Sequence, residues 1–101
     1  MVKLRQEDIK TKEVLSWKGI HLFHFTFSAC SMKTRIFMGL KNIDYTGHHI
    51  NLQKKENFSP YFQGITPRSL VPVLVDDGEV HIESNDILKY LDNKFLSLIH
   101  I

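Results

Sequence analysis

The sequence predicts a single α/β domain in which a strand–helix–strand unit is followed by a strand–strand–helix unit. A short aromatic run at residues 20–27 precedes a stretch whose apolar residues lie three and four positions apart, which indicates a strand followed by a helix. Further along, an apolar segment reaches a turn at Asp77 and Gly78 and then resumes, which is typical of a hairpin. A chain of 101 residues has enough apolar surface for one core but not for two.

The first unit is predicted from residues 20–52. The run IHLFHFTF at 20–27 is short and aromatic and therefore predicts a largely buried strand. An amphipathic helix, which Ser28 could cap, is predicted next. Its apolar positions are Ala29, Met32, Ile36, Phe37 and Leu40. The segment 42–52 looks extended, and a helical crossover between two strands favours parallel pairing.

The second unit is predicted after an irregular segment. Residues 53–69 are polar and broken by prolines and a glycine, so they suit at most a short helix around 58–63. The hairpin follows, and the last helix is predicted to begin near Ser84, with Asp86 in its first turn. Its apolar face consists of Ile87, Leu88, Leu91 and Phe95.

Composition excludes several classes of function. Thirteen basic against 11 acidic residues give a net charge of +2, too small and dispersed for a nucleic-acid-binding surface. The single cysteine, Cys30, cannot form an internal disulfide, and the N-terminus has no signal-peptide run, so a cytoplasmic location is expected. No stretch approaches the roughly 20 apolar residues that cross a bilayer. The six histidines show no metal-ligand spacing, so no metal is expected.

The first candidate site is the strand-to-helix junction Ser28-Ala29-Cys30-Ser31. Unpaired N–H groups and the dipole at a helix N-terminus stabilise an anion, whether a thiolate of the protein or that of a bound thiol. Ser28 and Cys30 are therefore candidate catalytic residues. The alternative is that Ser28 or Ser31 only caps the helix and Cys30 is a small packed residue.

The second candidate site is Val71 with Pro72, before the hairpin. Proline cannot donate to a strand ladder, so its place here indicates an edge, a first residue or a cis peptide bond. A cis bond would turn the N–H and C=O of Val71 outward, towards an extended peptide-like ligand. The alternative is an ordinary trans proline, the more frequent form.

The third candidate site is Glu83 with Ser84, at the start of the last helix. The helix N-terminus and the Ser84 hydroxyl suit a carboxylate, and Glu83 could hold an ammonium group. Together they fit the α-amino acid end of a ligand. The alternative is a serine cap preceded by a solvated acid.

These three places resemble, in order and spacing, the N-terminal domain of glutathione transferases. The stretch FSACSMKTRIFMGLKNIDY at 27–45 is similar to the active-site segment of the zeta class, the maleylacetoacetate isomerases. SACSMKTR at 28–35 also resembles that of the tetrachlorohydroquinone reductive dehalogenase, and INL and PRSLVPVLVDDGEVHIESNDILKYL resemble the rest of the domain, etherase-type transferases included. The resemblance covers about 20–95 and implies a thioredoxin-like fold: a mixed four-stranded sheet with helices on both faces.

The resemblance implies an enzyme, a glutathione transferase whose co-substrate is glutathione. In the family, the serine that matches Ser28 activates the glutathione thiolate, and the cysteine that matches Cys30 is a nucleophile in the dehalogenase. The thiolate then attacks an electrophilic small molecule, giving conjugation, isomerisation, ether cleavage or dehalogenation. In a variant of this chemistry, Cys30 forms a mixed disulfide with glutathione.

The glutathione-binding residues also follow from the resemblance. The valine and cis proline that match Val71 and Pro72 bind the cysteinyl backbone of glutathione, and the residues that match Glu83 and Ser84 hold its γ-glutamyl end.

Two departures from the zeta pattern are visible. Ala29 stands where the zeta class has a second serine, and the segment after Leu52 is shorter than in zeta enzymes. The residue that holds the glycyl carboxylate is therefore left open, with Lys54, Lys55 and His49 as candidates.

The resemblance also predicts the domain organisation. Residues 1–19 mix charge with only a weak helical spacing of apolar residues and are therefore predicted to be an extension. Residues 20–95 form the transferase N-terminal domain, and 96–101 are an anomalous tail in place of the all-helical domain that supplies most of the second-substrate pocket in the family. The alternative is that the tail extends the last helix. A homodimer of the full-length protein is compatible with the resemblance. The rival to an enzyme is a non-catalytic thioredoxin-like interaction module or an inactive truncated fragment.

Overall fold

The chain alternates strands and helices in the predicted order. The computed structural model describes residues 3–4, 9–25, 27–66 and 68–95, so the tail predicted at 96–101 lies outside the described residues. The elements are β1 (Lys3–Leu4), β2 (Ile20–His24), α1 (Ala29–Leu40), β3 (Thr46–His49), α2 (Pro60–Gln63), β4 (Val73–Asp76), β5 (Glu79–Ile82) and α3 (Ser84–Lys94). Short 3₁₀ helices cover Lys12–Ser16 and Glu56–Phe58. Within these ranges, no helix is long and apolar enough to cross a bilayer.

One mixed sheet organises the domain. Its strand order is β1-β5-β4-β2-β3, with β2 and β3 parallel and the other neighbours antiparallel. The four predicted strands, β2 to β5, are therefore confirmed, as is the parallel pairing across the α1 crossover. The backbone of β1 adds a fifth, two-residue strand at the edge of β5, which the sequence analysis did not predict.

Hydrophobic cores cover both faces of the sheet. Because successive strand residues point to opposite faces, Leu22 and Leu74 face one core while Phe23 and Val73 face the other. The first core packs against α1 and α3 through Met38, Ile87 and Leu91. The second core is closed by Phe62 of α2, by Ile65 in the turn after it, and by Val14 of the N-terminal 3₁₀ helix. Helices on both faces are thus confirmed.

The predicted hairpin turn joins β4 to β5. Asp77 and Gly78 both have positive φ, 48° and 87°, as a two-residue hairpin turn requires. A Cβ at Gly78 would lie 2.3 Å from the backbone oxygen of Leu15, so the N-terminal segment packs directly over the turn.

Residues 9–19 pack onto the domain instead of leaving it. Ile9 and Val14 are fully buried in the second core. The backbone N–H of Lys10 donates to the carbonyl of Gly64 at 2.7 Å, and that of Asp77 donates to the carbonyl of Gly19 at 2.9 Å. This part of the predicted extension is therefore structural.

The helix α1 presents a different face to the sheet from the one that its apolar spacing indicates. Its buried residues are Ser31, Thr34 and Met38. Of the predicted apolar positions, Met32, Ile36 and Leu40 are exposed, while Phe37 is half-buried against the first core. The buried hydroxyls are satisfied locally: the Thr34 hydroxyl donates to the carbonyl of Cys30, and the Ser31 hydroxyl accepts from the N–H of Phe25. Burying them consequently costs little, and an exposed apolar strip remains.

Candidate functional site

A cavity of about 110 Å³ lies where the starts of α1 and α3 meet the loop before β4. Its lining residues come from these three segments and from the end of β5. They are Cys30, Thr66, Arg68, Leu70, Val71, Pro72, Ile82, Glu83 and Ser84. Five of the six site residues named from the sequence are therefore brought together, although more than 50 positions separate Cys30 from Ser84. Ser28 does not line the cavity but belongs to the same helix terminus.

Ser28 is the N-cap of α1. Its hydroxyl oxygen accepts a hydrogen bond from the N–H of Ser31 at 3.2 Å, and its side chain is half-buried. A serine hydroxyl is both donor and acceptor, so the hydroxyl hydrogen can still bond a second group. Ser28 therefore caps the helix, as the alternative interpretation predicted. The cap still leaves its hydroxyl able to donate to an anion placed at this terminus.

Cys30 occupies the first turn of α1 and carries an exposed free thiol. It is therefore not the small packed residue of the alternative interpretation. The first-turn N–H groups of a helix lack intrahelical acceptors, and the helix dipole is positive at this end. The thiolate of a ligand placed near Cys30 would be stabilised by both effects.

The Val71–Pro72 peptide bond is cis, and Pro72 is buried. Val71 is half-buried on the cavity wall, immediately before β4 begins at Val73. In the described part of the chain, no hydrogen bond engages its backbone N–H or C=O. These groups form a donor and acceptor pair that a peptide-like ligand can use.

Glu83 is the N-cap of α3 and Ser84 is its first helical residue. Ser84 is therefore not the capping residue that the alternative interpretation assumed, because the N-cap lies one position earlier. The Glu83 side chain makes no capping hydrogen bond, and its backbone has a φ of 72°, which is strained for a residue with a side chain. The carboxylate instead forms an ion pair with the guanidinium of Arg68, which also lines the cavity.

Arg68 is a site residue that the sequence analysis missed. In the sequence, Arg68 is only a basic residue in the loop before Val71. No pattern indicated that this loop lies beside the start of α3. By contrast, none of the candidates for the glycyl carboxylate lines the cavity. Lys54 and Lys55 are exposed in the turn after β3, and the ring of His49 packs against Phe25 with centroids 5.3 Å apart.

An open apolar groove lies on the other side of the α1 N-terminus. It is lined by Phe27, Ala29, Met32, Lys33 and Ile36. Lys33 reaches from the groove to the start of α3, where its ammonium donates to the Asn85 side chain at 2.8 Å. The groove and the cavity therefore flank the turn that carries Ser28 and Cys30.

The histidines pair across β2 and β3 without forming a metal site. The rings of His21 and His48 are joined by a 2.9 Å hydrogen bond. His48 stacks on Trp17, while His21 packs against Trp17 at a tilt. His24 and His49 meet edge to face. Among the described residues, no cluster of three or more His, Cys, Asp or Glu could hold a metal ion.

Comparison with known proteins relates residues 22–96 to a family model described as "Glutathione S-transferase, N-terminal domain". A zeta-class glutathione S-transferase of Euphorbia esula is 41% identical over 76 residues, which cover 75% of this chain and 34% of that protein. The maleylacetoacetate isomerase of Mus musculus is 38% identical over 73 residues, 70% of this chain and 34% of that protein. The chain thus spans about a third of the length of these curated relatives.

Solved structures show the same fold. The human glutathione transferase theta-2, crystallised in complex with glutathione and an unknown ligand, superposes with a TM-score of 0.75 at 29% identity. The superposition covers 77% of this chain and 32% of that one. The thioredoxin-like fold and the zeta-class resemblance predicted from the sequence are both confirmed.

Proposed function

We propose that this chain, which belongs to the glutathione S-transferase family, binds glutathione and activates its thiol for transfer to an electrophilic small molecule. The observation that carries the proposal is the single cavity that collects Cys30, the backbone of Val71, Glu83 and Ser84. Each of these groups complements a different part of a γ-glutamyl-cysteinyl tripeptide.

The peptide part of glutathione is held by the backbone. The free N–H and C=O of Val71 pair with the cysteinyl residue, in the manner of an added strand. The Glu83 carboxylate accepts from the γ-glutamyl ammonium group, and the hydroxyl and N–H of Ser84 donate to the neighbouring carboxylate at the α3 N-terminus. This arrangement points the cysteinyl side chain towards the first turn of α1.

The thiol of glutathione is activated at that turn. The Ser28 hydroxyl donates to the sulfur, and the α1 dipole favours its negative charge, so the thiol loses its proton to solvent at a lower pH than in free glutathione. The thiolate sulfur then forms a bond to an electrophilic carbon, and the leaving group departs with the electron pair of the bond that breaks. The apolar groove beside this turn supports an apolar electrophile.

A second chemistry is supported by the exposure of Cys30 within the cavity. Its thiolate would attack the disulfide of oxidised glutathione. The S–S bond breaks, a mixed disulfide with Cys30 forms, and a glutathione thiolate leaves without any external reductant.

Ultraviolet titration of the glutathione thiolate in complex with the chain tests the proposal. We expect the thiol pKa of bound glutathione to lie below that of free glutathione in wild type and in Cys30→Ala, and to return towards the free value in Ser28→Ala. Ser59 is a matched control because it caps α2 in the same way, accepting from the N–H of Phe62 at 3.3 Å. Ser59→Ala should remove a cap of about 1 kcal/mol and leave the thiol pKa unchanged.

Other outcomes separate the alternatives. Loss of the effect only in Cys30→Ala would favour the mixed-disulfide chemistry. Binding of glutathione with an unshifted thiol pKa in every variant would support a non-catalytic binding module. An equal rise in Ser28→Ala and Ser59→Ala would show that loss of a helix cap, and not the Ser28 hydroxyl, changes the thiol.

A further inference from the structure

An ion pair joins Arg68 and Glu83 at the wall of the cavity. Both residues line the cavity, and their side chains are 57% and 42% exposed. An ion pair this exposed contributes only about 0–1 kcal/mol to folding, because water already solvates both groups. Stabilising the fold is therefore a poor explanation for a pair held at a strained N-cap, and opening the pair costs little.

A zwitterionic head group matches this pair charge for charge. The ammonium of an α-amino acid is complementary to Glu83, and its α-carboxylate is complementary to Arg68, whose planar guanidinium can bind a carboxylate through two parallel hydrogen bonds. Binding then replaces one internal ion pair by two ion pairs with the ligand. A ligand that carries only the ammonium must break the internal pair without giving Arg68 a new partner.

We propose that Arg68 is the specificity-determining residue for the α-carboxylate of the γ-glutamyl group. This inference depends on the proposed function, because it assigns a ligand group to a residue of the same cavity. In the free protein Arg68 neutralises Glu83; in the complex it moves to the ligand carboxylate beside the α3 N-terminus. The site therefore selects γ-glutamyl thiols that carry both charges over analogues that lack one.

Calorimetric titration with three thiols tests the assignment. Glutathione carries both charges, glutaryl-Cys-Gly lacks the ammonium, and 4-aminobutyryl-Cys-Gly lacks the α-carboxylate. We expect Arg68→Gln to weaken glutathione and glutaryl-Cys-Gly by about tenfold or more, as for the loss of a charged hydrogen bond. The same variant should bind 4-aminobutyryl-Cys-Gly as tightly as wild type or more tightly, because Glu83 is freed.

Two further variants complete the experiment. Arg68→Lys keeps the charge without the planar fork and should recover part of the lost affinity. Lys89→Gln removes one positive charge from an exposed position on α3 and should change none of the three affinities.

The outcomes distinguish this inference from the proposed function. If wild type binds glutathione but Arg68→Gln binds all three thiols unchanged, or weakens all three equally, the role of Arg68 is refuted while glutathione binding stands. If Lys89→Gln changed the affinities as much as Arg68→Gln, the loss of one positive charge would explain both results, and the role of Arg68 would also be refuted. If wild type binds no glutathione, the proposed function fails and this inference fails with it.

Discussion

At the scale of single residues, two hydrogen bonds orient the ring of His21. Its Nε2 atom lies 2.9 Å from the carbonyl oxygen of Lys18, which can only accept, so Nε2 carries the hydrogen. In the neutral ring, Nδ1 then accepts from Nε2 of His48. One tautomer of each ring satisfies the pair.

This pairing predicts a pH dependence of stability. Burial, followed by the charge of His21, lowers the pKa of His48 below its usual 6.5. The folded domain thus binds fewer protons than the unfolded chain near that pH. The contribution of His48 to the free energy of unfolding is therefore fully present above about pH 6.5 and is lost as the pH decreases below it. His24 acts in the same direction, since burial and Arg35 lower its pKa.

Urea denaturation at pH 7.5 and pH 5 measures the effect. The free energy of unfolding should be smaller at pH 5, and the difference should shrink in His48→Phe, which keeps a ring beside Trp17 and Phe23. A pH difference of the same size in wild type and His48→Phe would contradict the role of His48.

At the scale of secondary-structure elements, α1 shows what the sequence can and cannot predict. Its existence follows from its spacing, and its start follows from Ser28. Its orientation does not follow, because two faces compete and the less apolar one is buried. Ser31 and Thr34 are small and bond to nearby backbone, so the helix can lie close to the sheet. The spacing of apolar residues does not show that buried hydroxyls can form hydrogen bonds to nearby backbone.

The orientation of α1 predicts a large loss of stability for one truncation to alanine and a small change for another. Met38 is fully buried, so Met38→Ala should destabilise the domain by about 2–5 kcal/mol through lost burial and a cavity. Ile36 is 56% exposed, so Ile36→Ala should change stability by no more than about 0.5 kcal/mol. Denaturant unfolding of the two variants checks this, and a larger loss for Ile36→Ala would mean that the helix packs through its apolar strip.

The candidate site was predictable only in part, for related reasons. Val71 with Pro72, and Glu83 with Ser84, lie at element boundaries, where proline and capping chemistry leave signals in the sequence. Arg68 lies in a loop whose course depends on the whole domain, so its contact with Glu83 had no local signal.

At the scale of the whole molecule, the N-terminal segment and the site depend on the same core. Ile9 and Val14 pack with Phe62 and Val73, and Val73 begins the strand that follows Pro72. The family model begins at residue 22, whereas in the described fold residues 9–19 also pack over one face of the sheet. The sequence predicted this segment as an extension because its apolar residues are few and weakly spaced.

We propose that glutathione binds in the cavity between the starts of α1 and α3. This is tested by following backbone amide chemical shifts with two-dimensional ¹⁵N–¹H spectroscopy while glutathione is added to the chain. We expect saturable shifts at Val71, Ser84 and Cys30, with none at Lys89 on the far part of α3. An absence of saturable shifts, or shifts confined to the apolar groove around Met32, would contradict it.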